Sequence, residues 1–253
     1  MNKKKRKLKW KNIIIILIVT ALIITLIISI FNIVKWKMDS NKTNEEITNI
    51  QEDIDVDEVE DTENTEIIEP VEEPPKENPY WDYINMNMIN VDFNVLKRTN
   101  PDVVGWVKVN GTNINYPFVQ ANDNKYYLTH SFNKSYNAAG WVFLDYRNNN
   151  TNNKNTIIYA HGRTDKTMFG TLRKVLNNGW LNNTDNFVIK ISIETENSLW
   201  QIFSVYHIPT TSDYLKTDFD EDTEYQNFLD MIKNRSRTIN NLPLSIIQYN
   251  YKI

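Results

Sequence analysis

Asn155-Thr156-Ile157-Ile158-Tyr159-Ala160-His161-Gly162 reads as a short buried strand that delivers a histidine into a loop. Comparable runs flank it on both sides. Val103 to Val109 is followed by Asn110-Gly111, a hairpin-turn dipeptide. Ile114 to Gln120 contains Pro117, which belongs at an edge or a bulge because proline cannot donate to a ladder. Gly140 to Tyr146, Asn186 to Glu194 and Leu199 to Ile208 are further strand-like runs, beside the strand Thr156 to His161 of the opening stretch. Short strands at this spacing predict a β-barrel or a sandwich. A few helices interrupt them. Val91 to Arg98 completes a short one, and Thr167 to Leu176 reads as another. In Asp222 to Arg235, the residues Tyr225, Phe228, Leu229 and Ile232 recur at i, i+3, i+4, i+7, which is one apolar helix face.

The N-terminal end has a different character. Lysines and one arginine crowd residues 3–11, and residues 13–34 are almost wholly apolar. About 20 apolar residues at ~1.5 Å each cross a ~30 Å hydrocarbon core. This run predicts a transmembrane signal anchor at 13–34, with residues 1–12 as a basic cytoplasmic end and the rest of the chain outside, since positive charge stays inside. The basic cluster is a topology determinant that also meets anionic lipid, rather than a nucleic-acid patch. Residues 35–79 are rich in Glu and Asp and end in Glu69-Pro70-Val71-Glu72-Glu73-Pro74-Pro75. Such a stretch buries too little apolar surface to offset its ordering entropy, so a disordered spacer is expected there. The globular domain is expected from Tyr80 to Ile253.

The net charge is −4, and the chain contains no cysteine. Structural disulfides are therefore excluded. The three histidines are scattered without metal-ligand spacing, so no metal or other cofactor is expected. Neither Gly-x-Ser-x-Gly nor His-Glu-x-x-His occurs, which speaks against a serine hydrolase or a zinc hydrolase.

Several blocks, in order, resemble class B sortases, the cell-surface cysteine transpeptidases of Gram-positive bacteria. They are Asn100-Pro101-Asp102-Val103-Val104-Gly105-Trp106, Asn115 to Gln120, Tyr127-Leu128-Thr129-His130-Ser131-Phe132, Gly140 to Arg147, Ile157 to His161, and Met168-Phe169-Gly170-Thr171-Leu172. The helix at 222–235 is similar to the insertion that separates this class from smaller sortases. The resemblance covers roughly residues 80–237. It implies a mostly β fold, a closed barrel of eight strands, with a few helices. It also implies a thiolate that attacks a sorting-signal peptide, a histidine that exchanges protons with thiol and leaving amine, and an arginine that steadies the oxyanion. A peptidoglycan precursor or cell-wall amine would resolve the acyl-enzyme.

On that resemblance His161 is the catalytic histidine, and Tyr206 and Tyr214 are candidates to line the peptide groove. His130 is expected to pack and hydrogen-bond, and His207 to be incidental. The family pattern after the long helix is Thr-Leu-x-Thr-Cys and then a strand carrying the arginine. Here the chain runs from Arg235 and Arg237 into Thr238 to Ile253 without either. Ser245 has no nucleophile motif around it. The expectation is an incomplete barrel whose last strands, cysteine and arginine are missing, and which is inactive as written. The alternatives are a membrane-anchored extracellular module that binds sorting signals without cleaving them, and a frameshift remnant.

Overall fold

Val103–Val109 (β3) and Asn115–Val119 (β4) form the centre of the fold as an antiparallel hairpin. In this computed structural model, residues 10–54, 57–59, 86–149, 153–209 and 211–236 are described. β3 alternates poorly because both of its faces are covered. Trp106 is fully buried and its indole N–H donates to Asn115 Oδ1 at 2.8 Å. A bulge between Val103 and Gly105 kinks the strand, a usual device for curling a sheet.

Phe143–Leu144 (β5) pairs parallel to β4, and Ile158–Tyr159 (β6) pairs antiparallel to β5. On the other flank, Val188–Ile193 (β7) pairs with β3, and Glu196–Gln201 (β8) pairs with β7. The order is β6-β5-β4-β3-β7-β8. Asp57–Val59 (β1) and Met88–Asn90 (β2) make a separate two-stranded sheet. The result is a curled half-barrel with few helices, in keeping with the incomplete, mostly β barrel expected from the sequence. Among the described residues, β6 and β8 are the edges of the main sheet.

Pro117 stands opposite Trp106 of β3, while β5 touches β4 only at Val119. The missing proline N–H therefore faces no ladder partner among the described residues, although β4 is interior in the strand order. β8 begins three residues earlier than the sequence suggested. Its polar start pairs tightly: Ser192 Oγ donates to Asn197 Oδ1 at 2.7 Å. Residues 202–209 leave the sheet and run along Asp222–Arg235, which is helical over the expected range. Ser204 Oγ donates to the Ile232 carbonyl at 2.8 Å there.

Phe93–Thr99 (α2) is capped by Asp92, whose carboxylate accepts from the Asn94 N–H. Phe169–Leu176 is a 3₁₀ helix, followed by the short helix Asn178–Leu181 (α3) and a 3₁₀ turn at Thr184–Phe187. Asp222–Arg235 is α4; it buries Phe228 and Leu229.

The chain divides into two units, residues 1–42 and 43–253. The described part of the first is one helix with exposed apolar side chains, long and apolar enough to cross a membrane. The Thr20, Thr25 and Ser29 hydroxyls donate to carbonyls of Ile16, Leu22 and Thr25, so these polar groups are satisfied inside the helix. That helix, Trp10–Asp53 (α1), continues into the second unit. Residues 35–53 are therefore helical where a disordered spacer was expected. Ile50 and Ile54 are buried in the core and Ile47 packs against it. A sparse stripe of isoleucines, with hydrogen bonds at Glu46 and Gln51, docks this end of the helix despite its acidic surroundings. The rest of the expected spacer and the domain start at Tyr80 lie outside the described residues, as do the basic end 1–9, Arg237 and Ser245.

Candidate functional site around His161

β6 is only two residues long, so what holds it matters. Tyr159 donates its hydroxyl to Asp145 Oδ2 at 2.8 Å, and its ring packs on Phe143 at 5.2 Å. Asp145 is fully buried and also receives Arg147 Nε at 2.8 Å, Arg147 Nη2 at 2.7 Å and Asn124 Nδ2 at 2.9 Å. Burial pushes this carboxyl up, but the bonds from Arg147, Tyr159 and Asn124 outweigh it and hold Asp145 well below the usual carboxylate range. This network fixes the strand two residues before His161.

His161 leaves β6 half-buried, and its Nε2 lies 2.8 Å from the Leu128 carbonyl oxygen. A carbonyl can only accept, so Nε2 carries the proton. In the neutral ring Nδ1 is then the basic nitrogen, which fixes where a proton would be taken up.

The loop after His161 is wound on itself. The N–H groups of Arg163 and Phe169 both donate to the His161 carbonyl at 3.1 Å. Arg163 and Asp165 form a nearly buried ion pair, with Nη2 to Oδ2 at 2.7 Å, and Asp165 also accepts from the Thr167 hydroxyl at 2.7 Å. Lys166 and Met168 have positive φ, 69° and 51°, a conformation that side chains enter only when their surroundings impose it. A Cβ on Gly170 would sit 2.1 Å from the Arg163 carbonyl oxygen, so only glycine lets the 3₁₀ helix start there.

The acceptor side is equally determined. Leu128 ends a 3₁₀ turn, Tyr126–Leu128. Tyr127 is buried; its hydroxyl donates to Asp102 Oδ2 at 2.7 Å and accepts from Asn100 Nδ2 at 2.9 Å. The Asn-Pro-Asp block thus braces the turn that presents Leu128. Gly140, at φ 61°, lies against it: a Cβ there would approach Tyr127 O to 2.5 Å and Leu128 O to 2.9 Å.

The other histidines lie apart. His130 stacks on Tyr126 at 4.1 Å and hydrogen-bonds its carbonyl, the packing role expected of it. His207 is exposed. Among the described residues, no cluster of three acidic or histidine side chains could hold a metal ion.

No family model matches the chain. It is 36% identical over 149 residues to sortase B of Staphylococcus aureus (strain NCTC 8325 / PS 47), covering 58% of this chain and 60% of that one. It is 38% identical over 151 residues to sortase B of Listeria monocytogenes (serovar 1/2a, strain ATCC BAA-679 / EGD-e), covering 59% and 61%. The solved Staphylococcus aureus sortase B–substrate complex superposes with a TM-score of 0.56 at 35% identity, over 60% of this chain and 70% of that one. The chain belongs to the class B sortase family.

This class B sortase spans about three fifths of the length of the curated relatives it matches. Tyr206 and Tyr214 sit on the chain that leads into α4. Arg235 pairs with Asp213, and burial pushes the Tyr206 phenol up against the opposing pull of the nearby Arg235. Tyr214 lies close enough to Tyr159 to influence its ionisation, and the Tyr214 carbonyl accepts from Asn155 Nδ2 at 3.2 Å. Tyr214 is thereby tied to the strand that carries His161, while Tyr206 is tied to the end of α4. Sequence reasoning missed Leu128, Gly140 and the Arg163–Asp165 pair. The first acts through a backbone atom and leaves no side-chain signal. Asp165-Lys166-Thr167, an Asx-type turn sequence, was the only available hint of the last.

Proposed function

We propose that this sortase presents a sorting-signal peptide to His161, and that these 253 residues bind such a peptide without cleaving it. The observation that carries the reading is a histidine with Nε2–H committed to Leu128 and Nδ1 available, in a chain that has no cysteine. In thiol transpeptidation the imidazole accepts the S–H proton. The thiolate then adds to the scissile carbonyl, and the imidazolium returns its proton to the leaving amine as the C–N bond breaks. An incoming amine reverses these steps. His161 Nδ1 is suited to both transfers, but the sulfur must come from elsewhere. The groove candidates are Tyr214, tied through Asn155 to the strand that ends in His161, and Tyr206, beside the end of α4.

The test uses the full chain in detergent micelles and a fluorescently labelled sorting-signal peptide. The expected result is saturable binding with cleavage no faster than buffer, with or without an added amine. Cleavage that disappears in His161→Ala would overturn the non-catalytic part. Absence of binding would overturn the whole.

A second reading is favoured by the coverage of the relatives: the nucleophile belongs to residues outside this sequence. Resequencing the gene past the codon for Arg237 and beyond Ile253 separates the two. A cysteine codon in a Thr-Leu-x-Thr-Cys context, in either frame, supports the second. Residues 13–34 would anchor the protein in the cell membrane, basic end inside and sortase domain outside, which protease added to intact cells would check by digesting the domain alone.

A further inference from the structure

We propose that the last turns of α1, through Thr43 and Glu46, act as a positioning element for His161 by fixing the loop whose Leu128 carbonyl holds the imidazole. The inference rests on His161 being the functional centre, but its contacts stand independently of any peptide chemistry. Glu46 Oε1 accepts from the Asn133 N–H at 2.7 Å, and the nearby Ser131 hydroxyl helps hold its carboxyl down. Thr43 Oγ1 accepts from Asn137 Nδ2 at 3.0 Å, with both residues buried.

From these two points the path to the imidazole is short. The Asn137 N–H donates to the Thr129 carbonyl at 2.9 Å, and the Asn137 carbonyl accepts from the Gly140 N–H at 3.0 Å. Gly140 in turn packs on the carbonyls of Tyr127 and Leu128. Leu128 O then takes the His161 Nε2 proton. Helix α1 therefore clamps the far side of a loop whose near side sets the histidine's tautomer. Without the clamp, the loop keeps its braces through Asn100 and Asp102 but gains freedom at residues 128–140.

Glu46 serves as an acceptor, so its charge is dispensable. Burial pushes its carboxyl up, more than Asn133 and Ser131 pull it down. Glutamine keeps the acceptor oxygen without the cost of a buried charge.

Full-length protein in micelles, labelled with ¹⁵N-histidine, gives the readout: the tautomer signature of His161 and the solvent exchange rate of its Nε2 proton. Glu46→Ala and Thr43→Val are each expected to speed that exchange about tenfold, the effect of losing one good hydrogen bond, and to admit the Nδ1-protonated tautomer. Glu46→Gln is expected to restore the wild-type signature. Gln51→Ala provides the control, because Gln51 lies on the same helix but bonds the Asn115 carbonyl of β4 at 3.0 Å. It should loosen the helix without touching the loop. The proposal is overturned if folded Glu46→Ala and Thr43→Val keep the wild-type signature, or if Gln51→Ala shifts it equally. Should Glu46→Ala fail to fold, Thr43→Val decides alone. A normal His161 signature in protein that binds no peptide would instead remove the functional reading and leave this one standing.

Discussion

Replacing Arg147 with alanine is expected to cost the sortase domain about 3–5 kcal/mol, because it strands a charge in the interior. Asp145 has no exposed side-chain surface, and Arg147 supplies two of its four side-chain hydrogen bonds. With the guanidinium gone, the Tyr159 hydroxyl and the Asn124 amide cannot neutralise the carboxylate. The deficit depends on pH, and its sign follows from the direction of the Asp145 shift. In the native protein the carboxyl is held below its ordinary value, so its contribution is present above the unfolded pKa of about 3.9 and is lost only as pH falls through the lower folded value. In Arg147→Ala burial dominates and the folded pKa rises above the unfolded one. The variant then regains stability as pH falls, and the gap to wild type narrows. Urea unfolding followed by tryptophan fluorescence at neutral and at mildly acidic pH reads both quantities. A loss under ~1 kcal/mol, the scale of an exposed pair, or one independent of pH, would mean that the network does not hold β6.

Gly140→Ala is the second large effect, and it combines strain with displacement. A non-glycine residue at φ 61° costs about 1–2 kcal/mol from its own backbone. The new methyl carbon would also stand 2.5 Å from Tyr127 O and 2.9 Å from Leu128 O, and neither is the end of a flexible side chain. The loop must move, and the atom that moves is the acceptor for His161. A total near 3 kcal/mol is expected, together with loss of the fixed imidazole tautomer by NMR and weaker binding of sorting-signal peptide. Retention of the tautomer in a merely destabilised protein would show that Leu128 is not set by Gly140.

Why some of this was legible in the sequence, and some not, follows from the kind of signal each part carries. β3 and α4 were readable because strong periodicities run through them: a dense apolar strand before Asn110-Gly111, and the stripe of Tyr225, Phe228, Leu229 and Ile232. β5 and β6 proved far shorter than their apolar runs. Beyond the Asp145–Ile157 backbone bond, their ends are tied by buried side chains such as Asp145 and Asn148, and polar ties have no period. The end of α1 reads as spacer because its acidic composition hides the isoleucines that dock it together with Thr43, Glu46 and Gln51. His161 was legible through the block around it, whereas its partner is a main-chain oxygen that any residue at position 128 would offer. The incomplete, mostly β barrel was legible through the family likeness, and the described strands form such a curled half-barrel.

The winding of residues 161–170 sets how this part of the molecule should open. Most of its hydrogen bonds are internal, while Met168 seats it in the core: the His161 carbonyl takes two amides, Arg163 grips Asp165, and Gly170 closes on Arg163. A segment tied mainly to itself has few intermediate ways to fray. The amides of Arg163, Phe169 and Gly170 should therefore exchange with deuterium as one cooperative unit with a shared opening free energy. A histidine at the root of such a unit is either in place or absent. Occupancy of the competent geometry, rather than gradual drift of the ring, is then what temperature and denaturant would change.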